Sequence, residues 1–203
     1  MLLGERGLSL RGGGAAMEAN RSRTRWTYAE FARLPSEGST RYEVIDGELA
    51  VTPAPTGAHQ RVVAKLVRIL GAFAHDHALG EILPSPIDVL FGEGDYFEPD
   101  VIFVRADRAH LVGDRGVEAP PDLVIEILSP STAHRDRGIK LERYRHFGVP
   151  EYWIVDLDAR AVEIWRLADG AKAPDVRREG SSLQWTPVSG GPQLDVPVAD
   201  ILP

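Results

Sequence analysis

Residues 122–132 read Asp-Leu-Val-Ile-Glu-Ile-Leu-Ser-Pro-Ser-Thr. Residues 122–128, apolar from Leu123 apart from Glu126, have the length and composition of a buried strand. Ser129-Pro130-Ser131-Thr132 then leads into a helix predicted over 133–147, which Gly148 and Pro150 terminate. Glu126 sits inside the strand. A carboxylate buried without a partner is costly or takes up a proton, so Glu126 needs a reason that strand formation does not supply.

The flanking segments give the rest of the frame. Residues 57–79 read as the clearest helix, with Val62, Val63, Leu66, Val67, Leu70 and Phe73 on one apolar stripe and Arg61, Lys65 and Arg68 off its centre. Thr27 and Glu30 have capping-box spacing for a short helix over 28–34. Asp46-Gly47 marks a hairpin of strands 41–46 and 48–52. Strands near 81–83 and 86–91 precede a turn-rich acidic segment, and Glu98-Pro99-Asp100-Val101-Ile102-Phe103-Val104 reads as the next strand. Residues 105–121 read as a loop with a helical turn, 151–157 and 161–167 as two strands, and the Pro- and Gly-rich tail from 168 as one or two short strands. No internal repeat is visible. The order helix, strands, strand, strand, helix, strand describes an α/β (α+β) fold, a mixed sheet with helices against it. One domain over 26–203 is expected.

A chain of 203 residues is long enough for one well-cored domain and short for two. It has no cysteine, which excludes disulfides, thiolate metal ligands and a thiol nucleophile. That composition, with no apolar run near the ~18 residues of a membrane helix, fits a cytoplasmic protein that does not enter a membrane. The first 25 residues differ: they hold Arg11-Gly12-Gly13-Gly14 and five Arg against two Glu. They read as a disordered leader, with Met17 as the expected natural start. The net charge of −7 then leaves −10 on residues 26–203. Such a balance argues against a protein that coats nucleic acid, because coating rests on neutralised phosphates. It allows an enzyme that meets nucleic acid through a metal and a local basic patch.

Three acids stand where strand propensity would not put them: Glu43 in an alternating strand, Asp100 at the opening of an apolar one, and Glu126. Side chains alternate, so Asp122, Val124, Glu126 and Leu128 share a face, as do Asp100, Ile102 and Val104. If the two strands are neighbours, Asp100 and Glu126 converge at one end of the sheet. One or two carboxylates with waters and a substrate phosphate are the usual ligands of Mg²⁺. The other reading of the same residues makes Asp100 a turn cap after Pro99 and Glu126 the partner of an arginine. Asp136, Lys140 and Tyr144 recur every four residues and lie on one helix face. That face is either solvated or presented to the strand ends. His59 lies on the apolar stripe of its helix, satisfied by a backbone carbonyl or in contact with the site. His75 and His77, near a helix end, are not read as ligands. Trp153 and Trp165 read as core or interface residues, and Tyr152-Trp153-Ile154-Val155 as a strand able to pair with another subunit. A homodimer is expected on that ground.

The series Arg41-Tyr42-Glu43-Val44-Ile45-Asp46-Gly47-Glu48-Leu49, His59-Gln60, Glu98-Pro99-Asp100-Val101 and Pro121 through Thr132 resembles the Uma-type family of putative restriction endonucleases. The resemblance continues through Asp136, Lys140, Tyr144 and Gly148-Val149-Pro150-Glu151-Tyr152-Trp153-Ile154-Val155-Asp156, and covers residues 26–167. That family is placed in the PD-(D/E)XK nuclease superfamily, which implies a restriction-endonuclease-like core of helix, three strands, helix and strand. Carried onto this chain, Pro99-Asp100 resembles the Pro-Asp of the superfamily, Glu126 its second acid and Glu43 its upstream acid. One departure is plain: the lysine expected two residues after the second acid is Leu128 here, and Lys140 is the natural substitute. The resemblance implies that Asp100, Glu126 and the Ile127 carbonyl hold Mg²⁺ or Mn²⁺ for phosphodiester hydrolysis. Glu43 would hold a second metal or its water, and Lys140 would orient the nucleophile or meet charge on phosphorus. His59, Asp136 and Tyr144 are accessory candidates, and DNA is the expected substrate. Two rival classes remain: a non-catalytic nuclease-fold module that binds nucleic acid or a protein partner, and a hydrolase of another phosphoester.

Overall fold

The computed structural model describes residues 25–35 and 40–203. The predicted leader therefore lies outside the described residues, apart from Arg25, which pairs with Asp46 at 2.7 Å. Helix α1 (Tyr28–Phe31) starts at the capping box that Thr27 and Glu30 form. Strands β1 (Arg41–Ile45) and β2 (Glu48–Thr52) make the expected hairpin. Its turn puts Asp46 at φ 51° and Gly47 at φ 84°, the left-handed pair that an Asp-Gly two-residue hairpin requires. Helix α2 (Gly57–Asp76) is capped by the Thr56 hydroxyl, which accepts from the His59 N–H. It buries Val62, Val63, Leu66 and Leu70 on the side that faces the sheet.

The remaining strands are β3 (Gly80–Pro84), β4 (Val89–Gly92), β5 (Asp95–Phe97), β6 (Val101–Arg105), β7 (Val112–Gly113), β8 (Gly116–Val117), β9 (Leu123–Ile127), β10 (Glu151–Asp156), β11 (Ala161–Arg166), β12 (Asp175–Arg178), β13 (Ser182–Trp185) and β14 (Leu194–Pro197). The central sheet runs β12-β11-β10-β9-β6-β3, with β9 and β10 parallel and the other pairs antiparallel. Taken in chain order, α2, β3, β6, β9, the helical segment 133–146 and β10 give helix, three strands, helix, strand. This is the expected mixed α/β core. A second sheet, β2-β1-β5-β4-β8-β7, carries the N-terminal hairpin, and β13 pairs with β14 alone.

Alternation along the central strands separates two cores. Val101, Phe103, Leu123, Ile125, Ile127, Trp153 and Val155 face α2 and the C-terminal hairpin. Ile102, Val104, Val124, Tyr152 and Ile154 face Leu141 and Tyr144 of the 133–146 segment and Val89 and Phe97 of the second sheet.

Several expectations need correction. Residues 92–97, read as an acidic turn, contain β5, whose three residues are all buried. Asp95 is tolerated there because the Arg143 guanidinium and the Asp46 N–H both donate to its carboxylate, partners remote in sequence. The strand expected from residue 98 begins at Val101, and the helix expected to residue 79 ends at Asp76. The helix predicted over 133–147 is interrupted. It consists of α3 (Ala133–Arg135), a π turn over Asp136–Lys140 with Gly138 outside helical angles, and α4 (Leu141–His146). The loop 105–121 contains a 3-10 turn, β7 and β8, and the tail holds β12, β13, β14 and α5 (Val198–Ile201). Finally, β10 is paired on both edges, by β9 and β11. Tyr152 to Val155 therefore form a central strand with no free edge for another subunit.

Candidate functional site

The register of the central sheet brings the two principal acids together. Val101 of β6 stands opposite Ile125 of β9, so one further step of the antiparallel ladder sets Asp100 beside Glu126. The Ile127 N–H donates to Asp100 Oδ2 at 2.8 Å, closing the two strand ends on each other. Glu43 arrives from β1, in the second sheet. Asp136 and Lys140 arrive from the π turn, and His59 from the first turn of α2. All of these line one cleft of about 710 Å³, together with Ile127, Arg41, Glu98 and the loop Ser129–Thr132.

Asp100 is 3% exposed, and its carboxylate is fully engaged. Oδ1 accepts from Arg41 Nη1 at 2.6 Å, and Oδ2 sits 2.9 Å from His59 Nε2. Burial alone would raise its pKa, but His59, Arg41 and the Ile127 N–H outweigh burial and hold it below the usual carboxylate range. Arg41 also donates to Ser85 Oγ at 2.8 Å and lies 3.2 Å from Glu98. His59 Nδ1 is buried with no hydrogen-bond partner among the described residues.

Glu126 is held differently. Its Oε1 lies 2.6 Å from Lys140 Nζ and accepts from the Tyr144 hydroxyl at 2.8 Å. Lys140 is 3% exposed and also lies 2.8 Å from Glu43 Oε1, with Asp136 at 3.9 Å. Glu43 Oε1 in turn accepts the Glu98 N–H at 3.0 Å. Burial pushes Glu126 up to about 8; Lys140 opposes the rise, while Asp136, Asp100 and Glu43 add to it. Burial would lower Lys140, but Glu126, Glu43 and Asp136 around it reverse that and raise it. The 2.6 Å contact is that of an ion pair, so Lys140 is the charged partner of a carboxylate with raised proton affinity. Asp136 is raised by the same burial and neighbours. Burial and nearby acids also raise Glu98 to about 7 and Asp88 to about 6.

Glu43, His59, Asp100, Glu126, Ile127, Asp136 and Lys140 therefore meet in one cleft, and Tyr144 supports Glu126 from the buried side. The alternative pairings resolve as follows. Glu126 is partnered by a lysine, the arginine belongs to Asp100, and His59 contacts Asp100 and not a backbone carbonyl. Arg41 escaped the sequence reading. Its signal was its place two residues before Glu43, which puts both on one face of β1. Leu128 packs against the apolar core on the Tyr144 side, and the lysine beside Glu126 is Lys140. Lys140 is the last residue of the π turn, whose break at Gly138 precedes it.

The donor set is hard oxygen: two carboxylates and a carbonyl on residues at adjoining strand ends that line the cleft. Among the described residues no three His, Asp or Glu converge in metal-ligand geometry. A pair of carboxylates with the rest of the shell left to water and phosphate is the arrangement Mg²⁺ most often takes, so the residues present fit such an ion.

A mixed sheet of this topology, with an acid-lined cleft at the ends of its central strands, defines a restriction-endonuclease-like protein. The chain belongs to the Uma2 family, described as "Putative restriction endonuclease", whose profile matches residues 28–198. It is similar to "Uncharacterized protein sll1609" of Synechocystis sp., with 27% identity over 139 residues, 68% of this chain and 78% of that protein. Its fold is that of a crystal structure titled as a putative nuclease belonging to DUF820 from Anabaena variabilis ATCC 29413. The TM-score is 0.71 at 20% identity, over 87% of this chain and 97% of the other.

Proposed function

We propose that this protein is a divalent-metal-dependent endonuclease that hydrolyses phosphodiester bonds, with DNA as substrate. The observation that carries the reading is the meeting of Asp100 and Glu126 at adjoining strand ends, in a cleft that also holds Glu43 and the Lys140 ammonium. Asp100, Glu126 and the Ile127 carbonyl would hold Mg²⁺ or Mn²⁺, which when bound supplies Lewis acidity toward a phosphate oxygen and toward water. The chain's own groups do the rest. Arg41 and His59 fix Asp100 in its ionised form. Tyr144 and Lys140 orient Glu126. Lys140 places a fixed positive charge at the cleft, where it opposes charge growing on phosphorus without reorganisation. Glu43 holds Lys140 and can accept a hydrogen bond from a water beside it.

Asp100→Asn and Glu126→Gln are each expected to remove Mg²⁺-dependent cleavage of plasmid DNA by about 100-fold or more, since each removes a charged ligand from a preorganised site. Circular dichroism should still report the wild-type fold. Wild-type cleavage by both variants would overturn the assignment, and cleavage of RNA but not of DNA would redirect it to another nucleic acid.

A further inference from the structure

We propose that Arg41 competes with a divalent cation for Asp100 and so sets how tightly the site holds the ion; this inference rests on the metal reading above. Arg41 and Glu43 are two residues apart on β1 and leave the same face of that strand toward the cleft. The guanidinium is gripped at three points: Nη1 on Asp100 Oδ1 at 2.6 Å, Nη2 on Ser85 Oγ at 2.8 Å, and Nε at 3.2 Å from Glu98 Oε1. Asp100 Oδ2 is taken by His59 Nε2 at 2.9 Å and by the Ile127 N–H at 2.8 Å. Any cation that joins Asp100 must therefore share Oδ1 with a guanidinium already seated on it. In a site as enclosed as this one, two cations on one oxygen repel strongly. Arg41 can give way without stranding a buried charge, because Glu98 and Ser85 remain as partners when Asp100 is released.

The test is calorimetric titration of the full chain with MnCl₂ at fixed pH and salt, with no substrate present. Arg41→Gln is expected to bind Mn²⁺ at least about tenfold tighter than wild type, comparable to the ~1 unit of proton affinity that a neighbouring charge commonly moves. Arg41→Lys keeps the competing charge and is expected to stay within about threefold of wild type. A merely structural role for Arg41 predicts weaker binding in both variants. Equal or weaker binding by folded Arg41→Gln, with Mn²⁺ still bound by wild type, overturns the proposal alone. Absence of Mn²⁺ binding in wild type and variant overturns the metal reading and this proposal with it. If Arg41→Gln does not fold, Ser85→Ala decides: with one of its fallback partners gone the guanidinium holds Asp100 more firmly, so Mn²⁺ binding should weaken severalfold, and unchanged or tighter binding overturns the proposal.

Discussion

Glu126 and Lys140 lie 2.6 Å apart and both hold protons more tightly than their free side chains do. This has a consequence for stability. Between its ordinary value of 4.5 and about 8, Glu126 binds more protons in the folded than in the unfolded chain. Folding stability must therefore fall as pH rises through that window. Lys140 is charged in both states over the same range and adds a constant. Glu98 and Asp88, raised to about 7 and about 6, act in the same direction as Glu126. Melting temperatures measured in chelator from pH 5 to 8.5 should fall for wild type and fall less for Glu126→Gln. Parallel curves would show that Glu126 does not carry the effect. At this scale the sequence was informative wherever a residue contradicted its segment: an acid in an apolar strand is visible without a structure. Arg41 was harder to see: its place two residues before Glu43 puts both on one strand face, but its partner Asp100 lies far along the chain.

The element that matters most to the site is the interrupted helix 133–146. Four-residue spacing placed Asp136, Lys140 and Tyr144 on one helix face; the helix is broken between the first two, yet Lys140 and Tyr144 both reach Glu126 and Asp136 lies 3.9 Å from Lys140. The π turn itself has no sequence signature beyond Gly138, and it brings Lys140 to the buried carboxylates of Glu126 and Glu43. Strand β3 shows the opposite case, where one residue's small size is required. Gly80 has φ 151°, and a Cβ there would fall 2.1 Å from the Val104 carbonyl oxygen of β6. Gly80→Ala should therefore destabilise the protein by about 2–3 kcal/mol, near the upper end of single-substitution effects, as read from urea unfolding. A loss below about 0.5 kcal/mol would mean that the strands adjust freely.

At the scale of the molecule, two sheets and α2 enclose two cores, and the cleft opens where the first sheet's strand ends meet the second sheet's hairpin. No helix among the described residues is long and apolar enough to cross a membrane. The C-terminal hairpin is tied to the first core by Trp185, 1% exposed, whose ring centroid lies 5.1 Å from Phe103, 6.0 Å from Phe73 and 6.3 Å from Trp153. Trp185→Ala should cost about 3–5 kcal/mol, as buried aromatic truncations do. It lies in the core on the α2 side, so the cleavage proposed above, measured well below the melting temperature, should persist. Loss of activity with the fold intact would show that the hairpin also shapes the cleft.

The sequence by itself determined the order of the core elements, the hairpin turn, the α2 stripe and the acids that had no business in apolar strands. These follow from local rules: alternation, helical spacing, capping and turn chemistry act within a few residues. Only the tertiary structure decided which partner each charge takes. Pairing Glu126 with Lys140, Asp100 with Arg41 and His59, and Asp95 with Arg143 joins residues 14 to 59 positions apart. Such choices are settled by desolvation, which makes a buried charge accept the nearest complementary group that packing brings, and packing is a property of the whole chain.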